Sequence, residues 1–227
     1  MELKKESMQI LKEKSRAKSQ ITFDEDFNVP DAKPDAGRLI QNKGRIIMDD
    51  VRLTDGKGIL TGNLQVDILY VGEERGIVSS LTAKLPFEET LNLKDIINGD
   101  KMCLKWEIED LTIRLIHSRK LNIKALVTFC ATGDETEQIR LPVALDAEEV
   151  SVRKKTVRFL GLTVHKKDTL RIKDEYTIAS NRPDIASLIW YTMDVRGLDL
   201  KPEENVVKAR GELSVFVLYG AEDTEAP

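Results

Sequence analysis

Two histidines, His117 and His165, and two cysteines, Cys103 and Cys130, are the side chains of this chain best suited to hold a metal. Metal sites draw on close pairs of such ligands, and these four residues form none. Carboxylates are plentiful, but Asp49-Asp50, Glu88-Glu89 and Glu148-Glu149 are sequence neighbours on polar stretches, which suits solvated surface better than a general acid and base pair. Gly56-x-Gly58 lacks the spacing and the following Lys-Ser/Thr of a phosphate loop, and no G-x-S-x-G elbow occurs. Trp106 and Trp190 fall at apolar positions and read as core rather than as stacking platforms. The residues therefore predict no catalytic group, no metal site, no cofactor and no small-molecule ligand; the chain reads as something other than an enzyme.

What positions these residues is better marked. Residues 62–70, GNLQVDILY, return as GELSVFVLY at 211–219, an offset of 149. The same shift, without a gap, lays Pro34-Asp35 on Pro183-Asp184, Leu39-Ile40 on Leu188-Ile189, and Asp50 on Asp199. Ten positions between Phe27 and Tyr70 are identical, where composition alone would give roughly three. The chain contains an internal repeat.

The 227 residues allow one or two domains, and the repeat argues for two of similar kind. Apolar residues make up 41% and charged ones 33%, ordinary for a chain that folds around a core. A net charge of −4 leaves no positive excess for a nucleic-acid backbone. The N-terminus shows no secretory pattern and no stretch approaches the length of a bilayer span, so the cytoplasm is expected, with Cys103 and Cys130 as free, buried thiols.

Residues 1–20 are highly charged and fit either a short amphipathic helix or an irregular strand; the offset, which lays Ile21 and Phe23 on Leu170 and Ile172, favours extended backbone. Two prolines make residues 28–35 an ordered loop. After it, Asp35 is expected to cap a short helix carrying Leu39 and Ile40, as Asp184 would before Leu188 and Ile189. A hairpin turning at residues 54–58 leads into the repeated strand, whose Gly62, Leu64, Val66, Ile68 and Tyr70 face a core while Asn63, Gln65 and Asp67 face water. Gly211, Leu213, Val215, Val217 and Tyr219 should keep the buried side in the second copy, with Phe216 on the other face under some cover. Further strands cover 77–85, 102–115 with a bulge at Glu109-Asp110, 121–129 after a turn at His117-Ser118-Arg119, and 141–145. Residues 146–149 read as the junction. If copy one ends near Phe129, its counterpart needs residues to about 278 (129 plus 149), so the second unit is expected to be incomplete within 227 residues.

The loop Val29-Pro30-Asp31-Ala32-Lys33-Pro34-Asp35, the strand 62–70, the Pro86-Phe87 step and Arg119-Lys120-Leu121-Asn122-Ile123-Lys124 together resemble the SPOCS (SipL-like) domain of clostridial sporulation proteins. The second copy resembles it through Asn181-Arg182-Pro183-Asp184 and residues 211–219. The resemblance implies tandem domains, often followed by a LysM module that this sequence lacks. It further implies a non-enzymatic role in spore envelope assembly, in the mother-cell cytoplasm at the forespore surface. Coat proteins and the ATPase known as stage IV sporulation protein A are the implied partners. No catalytic residue is carried over; the signature positions are Pro34, Asp35, Gly62, Tyr70, Pro183, Asp184, Gly211 and Tyr219.

The expected architecture is mainly β. A charged segment 1–20 precedes two related β-sandwich-like units, 21–148 and 149–227, each with one short helix and the second partial. The expected function is protein–protein scaffolding in coat or cortex assembly; the other reading is a carbohydrate- or peptidoglycan-binding β module, against which an aromatic content of 5% counts.

Overall fold

The structure, a computed structural model, describes residues 2–54, 56–74, 76–97, 101–146, 151–153, 155–158, 160–162, 169–204 and 206–221. His165, Glu148-Glu149 and most of the expected junction lie outside the described residues. Eight strands follow in order: β1 (Glu2–Asn28), β2 (Ala36–Thr54), β3 (Lys57–Gly72), β4 (Val78–Asn92), β5 (Lys101–His117), β6 (Lys120–Asp146), β7 (Ile185–Pro202) and β8 (Val207–Ala221). All pairings are antiparallel, in three sheets ordered β1-β6-β5, β2-β3-β4 and β7-β8.

The first two sheets face each other across one core. Period-two alternation builds it: β3 supplies Leu60, Leu64, Val66, Ile68 and Tyr70, while β6 supplies Leu121, Ile123, Ala125, Val127 and Phe129. β4 alternates as strictly, with Leu81, Ala83, Leu85 and Phe87 inward and Thr82, Lys84, Pro86 and Glu88 exposed. Phe87 joins the sheets, its ring lying 6.3 Å from Phe23 of β1 and 5.2 Å from Phe129 of β6. Such aromatic pairs add about 0.5–1.5 kcal/mol beyond their buried area. Pro86 interrupts nothing, because β4 is an edge strand and a missing amide there costs no ladder bond.

Several local expectations hold. The turn between β2 and β3 places Gly56 at a φ of 74°, a conformation that favours glycine. The register of β5 on β6 shifts between Ile108 and Asp110, which is the expected bulge. Residues 2–20, open between helix and strand in the sequence, are part of β1, and 141–145 belong to β6.

Others are corrected. No helix occurs among the described residues, and so none long and apolar enough to cross a membrane. The segments read as short helices after Asp35 and Asp184 are the starts of β2 and β7. The backbone of each is committed to sheet pairing: Leu39 sits opposite Tyr70, and Leu188 opposite Tyr219. Trp106 is 45% exposed, since it lies on β5, an edge strand; Trp190 is buried at 6%. The cysteines are free, but Cys103 is exposed and Cys130 half-buried. Phe129 and Ala131 point into the core, so Cys130 between them must point away.

The third sheet departs most from expectation. Leu213, Val215 and Val217 of β8 are 50%, 54% and 40% exposed, and Phe216 on the opposite face is 58% exposed. Among the described residues β8 pairs with β7 alone, and alternation buries a side chain only where a second layer covers it.

Candidate interaction surfaces

A two-residue turn, Ser118-Arg119, joins β5 to β6 and lies against the loop that joins β1 to β2. Main-chain bonds fix the two together: Val29 N–H donates to the Arg119 carbonyl at 2.9 Å, and Ala36 N–H to the Ser118 carbonyl at 2.7 Å. From this position the Arg119 guanidinium closes over the loop. It donates to the Lys33 carbonyl at 2.9 Å, to Asp35 Oδ1 at 3.0 Å and to Asp31 Oδ1 at 2.9 Å. A planar, permanently charged fork suits this three-point hold in a way that a lysine ammonium does not. Ser118 Oγ donates to Asp35 Oδ2 at 3.3 Å, so the Asp35 carboxylate holds the loop to the turn instead of capping a helix.

The loop's other anchor is Tyr70, fully buried, whose hydroxyl donates to the Pro34 carbonyl at 2.9 Å. Pro34, Asp35 and Tyr70 therefore meet at one end of the sheets. Gly62 does not join them, lying eight residues along β3, about 26 Å away at ordinary strand rise. Its requirement is steric, since a Cβ would strike the Ile47 carbonyl oxygen and come within 3.0 Å of Phe87 Cζ.

The equivalent residues 149 positions on return part of this geometry. Arg182 N–H bonds the Ala179 carbonyl at 2.9 Å as Lys33 N–H bonds that of Pro30, and Tyr219 donates to the Pro183 carbonyl at 3.3 Å. A Cβ on Gly211 would lie 3.3 Å from the Arg196 carbonyl oxygen. Asp184 is exposed at the head of β7.

Outside the loop, β1 and β6 carry an ionic ladder. Asn122 donates to both Asp24 and Asp26 at 3.0 Å, while Lys124 pairs with Asp24 and Lys120 with Asp26, each at 2.8 Å. The hydrogen bond from Lys124, then that from Asn122, lowers the pKa of Asp24; Lys120 and then Asn122 do the same for Asp26. At the β5 bulge, Thr128 and Gln20 both donate to Glu109, and the Thr128 bond chiefly holds that carboxyl below its ordinary value.

The residues that first suggested chemistry do not converge. Asp49 accepts from Asn63 while Asp50 pairs with Arg52, and Glu89 accepts from Ser19 while Glu88 is exposed. Glu88 and Glu89 point to opposite faces of β4, and Asp49 and Asp50, at the register shift after Met48, each bond a different partner, so neither pair converges on one substrate atom. His117 is exposed and its Nδ1 accepts from the Arg119 amide at 3.3 Å. Among the described residues no three His, Cys, Asp or Glu side chains group as a metal site would need. Sequence reasoning missed the role of Arg119; the available signal was an arginine in a tight hairpin turn, with Asp31 and Asp35 in a proline-held loop elsewhere.

Residues 35–116 match the family model described as SipL, SPOCS domain. The match opens at Asp35, runs through β2, β3 and β4 and ends within β5, so it takes in Gly62 and Tyr70. It supports one such domain and does not extend to β7 and β8. Comparison with curated proteins and with solved structures gave no match.

Proposed function

We propose that this protein is a non-enzymatic scaffold of the spore envelope, acting in coat or cortex assembly through protein–protein contacts. The match of residues 35–116 to a SPOCS domain carries the reading. On this reading β7 and β8 begin a second, β-sandwich-like SPOCS domain, which the repeated turn and tyrosine bonds support. The setting is the mother-cell cytoplasm at the forespore surface, with coat and morphogenetic proteins, among them the stage IV sporulation protein A ATPase, as partners. The signature residues then serve the framework, and contacts are made by loops and strand edges. Deleting the gene in a sporulating host and examining thin sections of the spores tests this. Mislocalised or detached envelope layers are expected, and envelopes indistinguishable from wild type would overturn it.

A carbohydrate- or peptidoglycan-binding module is the second reading, favoured by the part-exposed indole of Trp106. Recovery of the protein on peptidoglycan sacculi, lost in Trp106→Ala, would select it over the scaffold.

A further inference from the structure

β8 is built as a central strand. Shifting residue numbers by 149 lays β7 on β2 and β8 on β3, and the pairing follows: Leu39–Tyr70, Gln41–Leu69 and Asp50–Thr61 become Leu188–Tyr219, Trp190–Leu218 and Asp199–Arg210. The register shifts after Ala36 and Leu39 recur after Ile185 and Leu188, and the one after Met48 recurs one position earlier, between Arg196 and Asp199. β3 is flanked on both sides, by β2 and by β4, whereas β8 has β7 alone among the described residues. Among the described residues no strand pairs with its second edge, a row of backbone donors and acceptors along residues 207–220, bordered by exposed Leu213, Val215 and Val217. A long apolar edge without a proline or a bulge is a template for strand addition.

We infer that this edge of β8 is a strand-acceptor site, and that its occupant is an antiparallel segment with the side-chain pattern that β4 presents to β3. That pattern is specific. Leu81, Ala83, Leu85 and Phe87 stand opposite Ile68, Val66, Leu64 and Gly62, and the repeat carries those four positions to Val217, Val215, Leu213 and Gly211. The partner strand therefore reads leucine, small residue, leucine, aromatic at alternate positions, with polar residues between. The small residue lies across from the β-branched Val215 and the aromatic lies over the glycine, as Phe87 lies over Gly62. This inference rests on strand geometry and stands or falls apart from the spore-envelope reading.

The test adds a synthetic peptide of the β4 sequence, residues 78–92, to the full chain and follows backbone amide exchange. Protection gained across 207–221 with 57–72 unchanged is expected, with affinity at least tenfold weaker for Val215→Asp and for a peptide carrying Ala83→Lys. Val215 is already 54% exposed, so its replacement removes no core contact, and retained protection in β3 verifies the fold of the variant. No protection of β8 at millimolar peptide, or protection indifferent to both substitutions, overturns the inference. So does self-association of the peptide-free chain that Val215→Asp abolishes, since the occupant would then be a second copy.

Discussion

Tyr70 donates its hydroxyl to the carbonyl of Pro34 at 2.9 Å, across 36 residues of chain, and Tyr219 does the same to Pro183 at 3.3 Å across the same 36. The bond couples the entry loop of a hairpin to the end of its returning strand. Its two instances differ in burial, Tyr70 being fully buried and Tyr219 only partly so. Removing the hydroxyl strands the Pro34 carbonyl at the edge of a core, whereas water replaces the bond at Pro183. Tyr70→Phe should therefore lower stability by about 1–2 kcal/mol, and Tyr219→Phe by less than about 0.5 kcal/mol. Urea denaturation of the two variants checks this, and equal losses would contradict it.

Arg119 holds three acceptors of the loop at once, on side chains and main chain. Its side chain is 29% exposed while Asp31 stands free in solvent, so screening weakens the outer contact and the bonds to Lys33 and Asp35 dominate. Arg119→Ala is expected to cost about 1–2 kcal/mol and to raise amide exchange between residues 29 and 36. Arg119→Lys should recover less than half of the loss, because a point charge cannot serve a carbonyl and two carboxylates in the same plane.

Gly62 and Gly211 hold equivalent places in their hairpins but have unequal surroundings. A Cβ at Gly62 meets the Ile47 carbonyl, fixed by the β2–β3 pairing, and Phe87, held by the core; at Gly211 the nearest atom, the Arg196 carbonyl oxygen, is at 3.3 Å in an open hairpin. Gly62→Ala should cost about 1–3 kcal/mol from overpacking, and Gly211→Ala less than about 1 kcal/mol. Thermal melts of both variants give the comparison.

Alternation made β3, the 78–85 part of β4 and the 121–129 part of β6 legible in the sequence, because each carries its apolar residues at every second position, whereas the polar residues 132–137 hide the continuity of β6. The start of β2 was not legible in that way. Pro34-Asp35 followed by Leu39-Ile40 has the form of a helix cap, and the deciding partners are remote: Arg119 reaches Asp35 from 84 residues away, and the Ser118 carbonyl takes the Ala36 amide. Cys130 was a different miss, since the phase that buries Phe129 turns its neighbour outward. In β8 the alternation is plain in the sequence but its burial is not, as burial belongs to the opposing layer and not to the strand that needs one. The loop signature of Pro34, Asp35 and Tyr70 was visible as a repeat, while the arginine that closes it was visible only as one more basic residue.

The ladder on β1 and β6 gives the fold an acid-sensitive seam. Asp24 and Asp26 have folded pKa values lowered by Lys124, Lys120 and Asn122, against about 3.9 for an aspartate in the unfolded chain. A lowered folded value means that the unfolded state binds protons first, so the contribution is fully present above about pH 5 and is lost as pH falls through 4 and then through the folded values. Urea midpoints measured from pH 6 down to pH 2.5 should therefore fall at the acid end. The double variant Asp24→Asn, Asp26→Asn should lose stability at pH 6 but show a shallower acid decline, because the two groups that take up protons are gone. Adding 1 M salt should shrink the difference between wild type and variant at pH 6, since both aspartates are about half exposed and their pairs are screened. An acid decline of unchanged steepness in the double variant would move the seam elsewhere, with the Thr128-bonded Glu109 carboxylate the next group to replace.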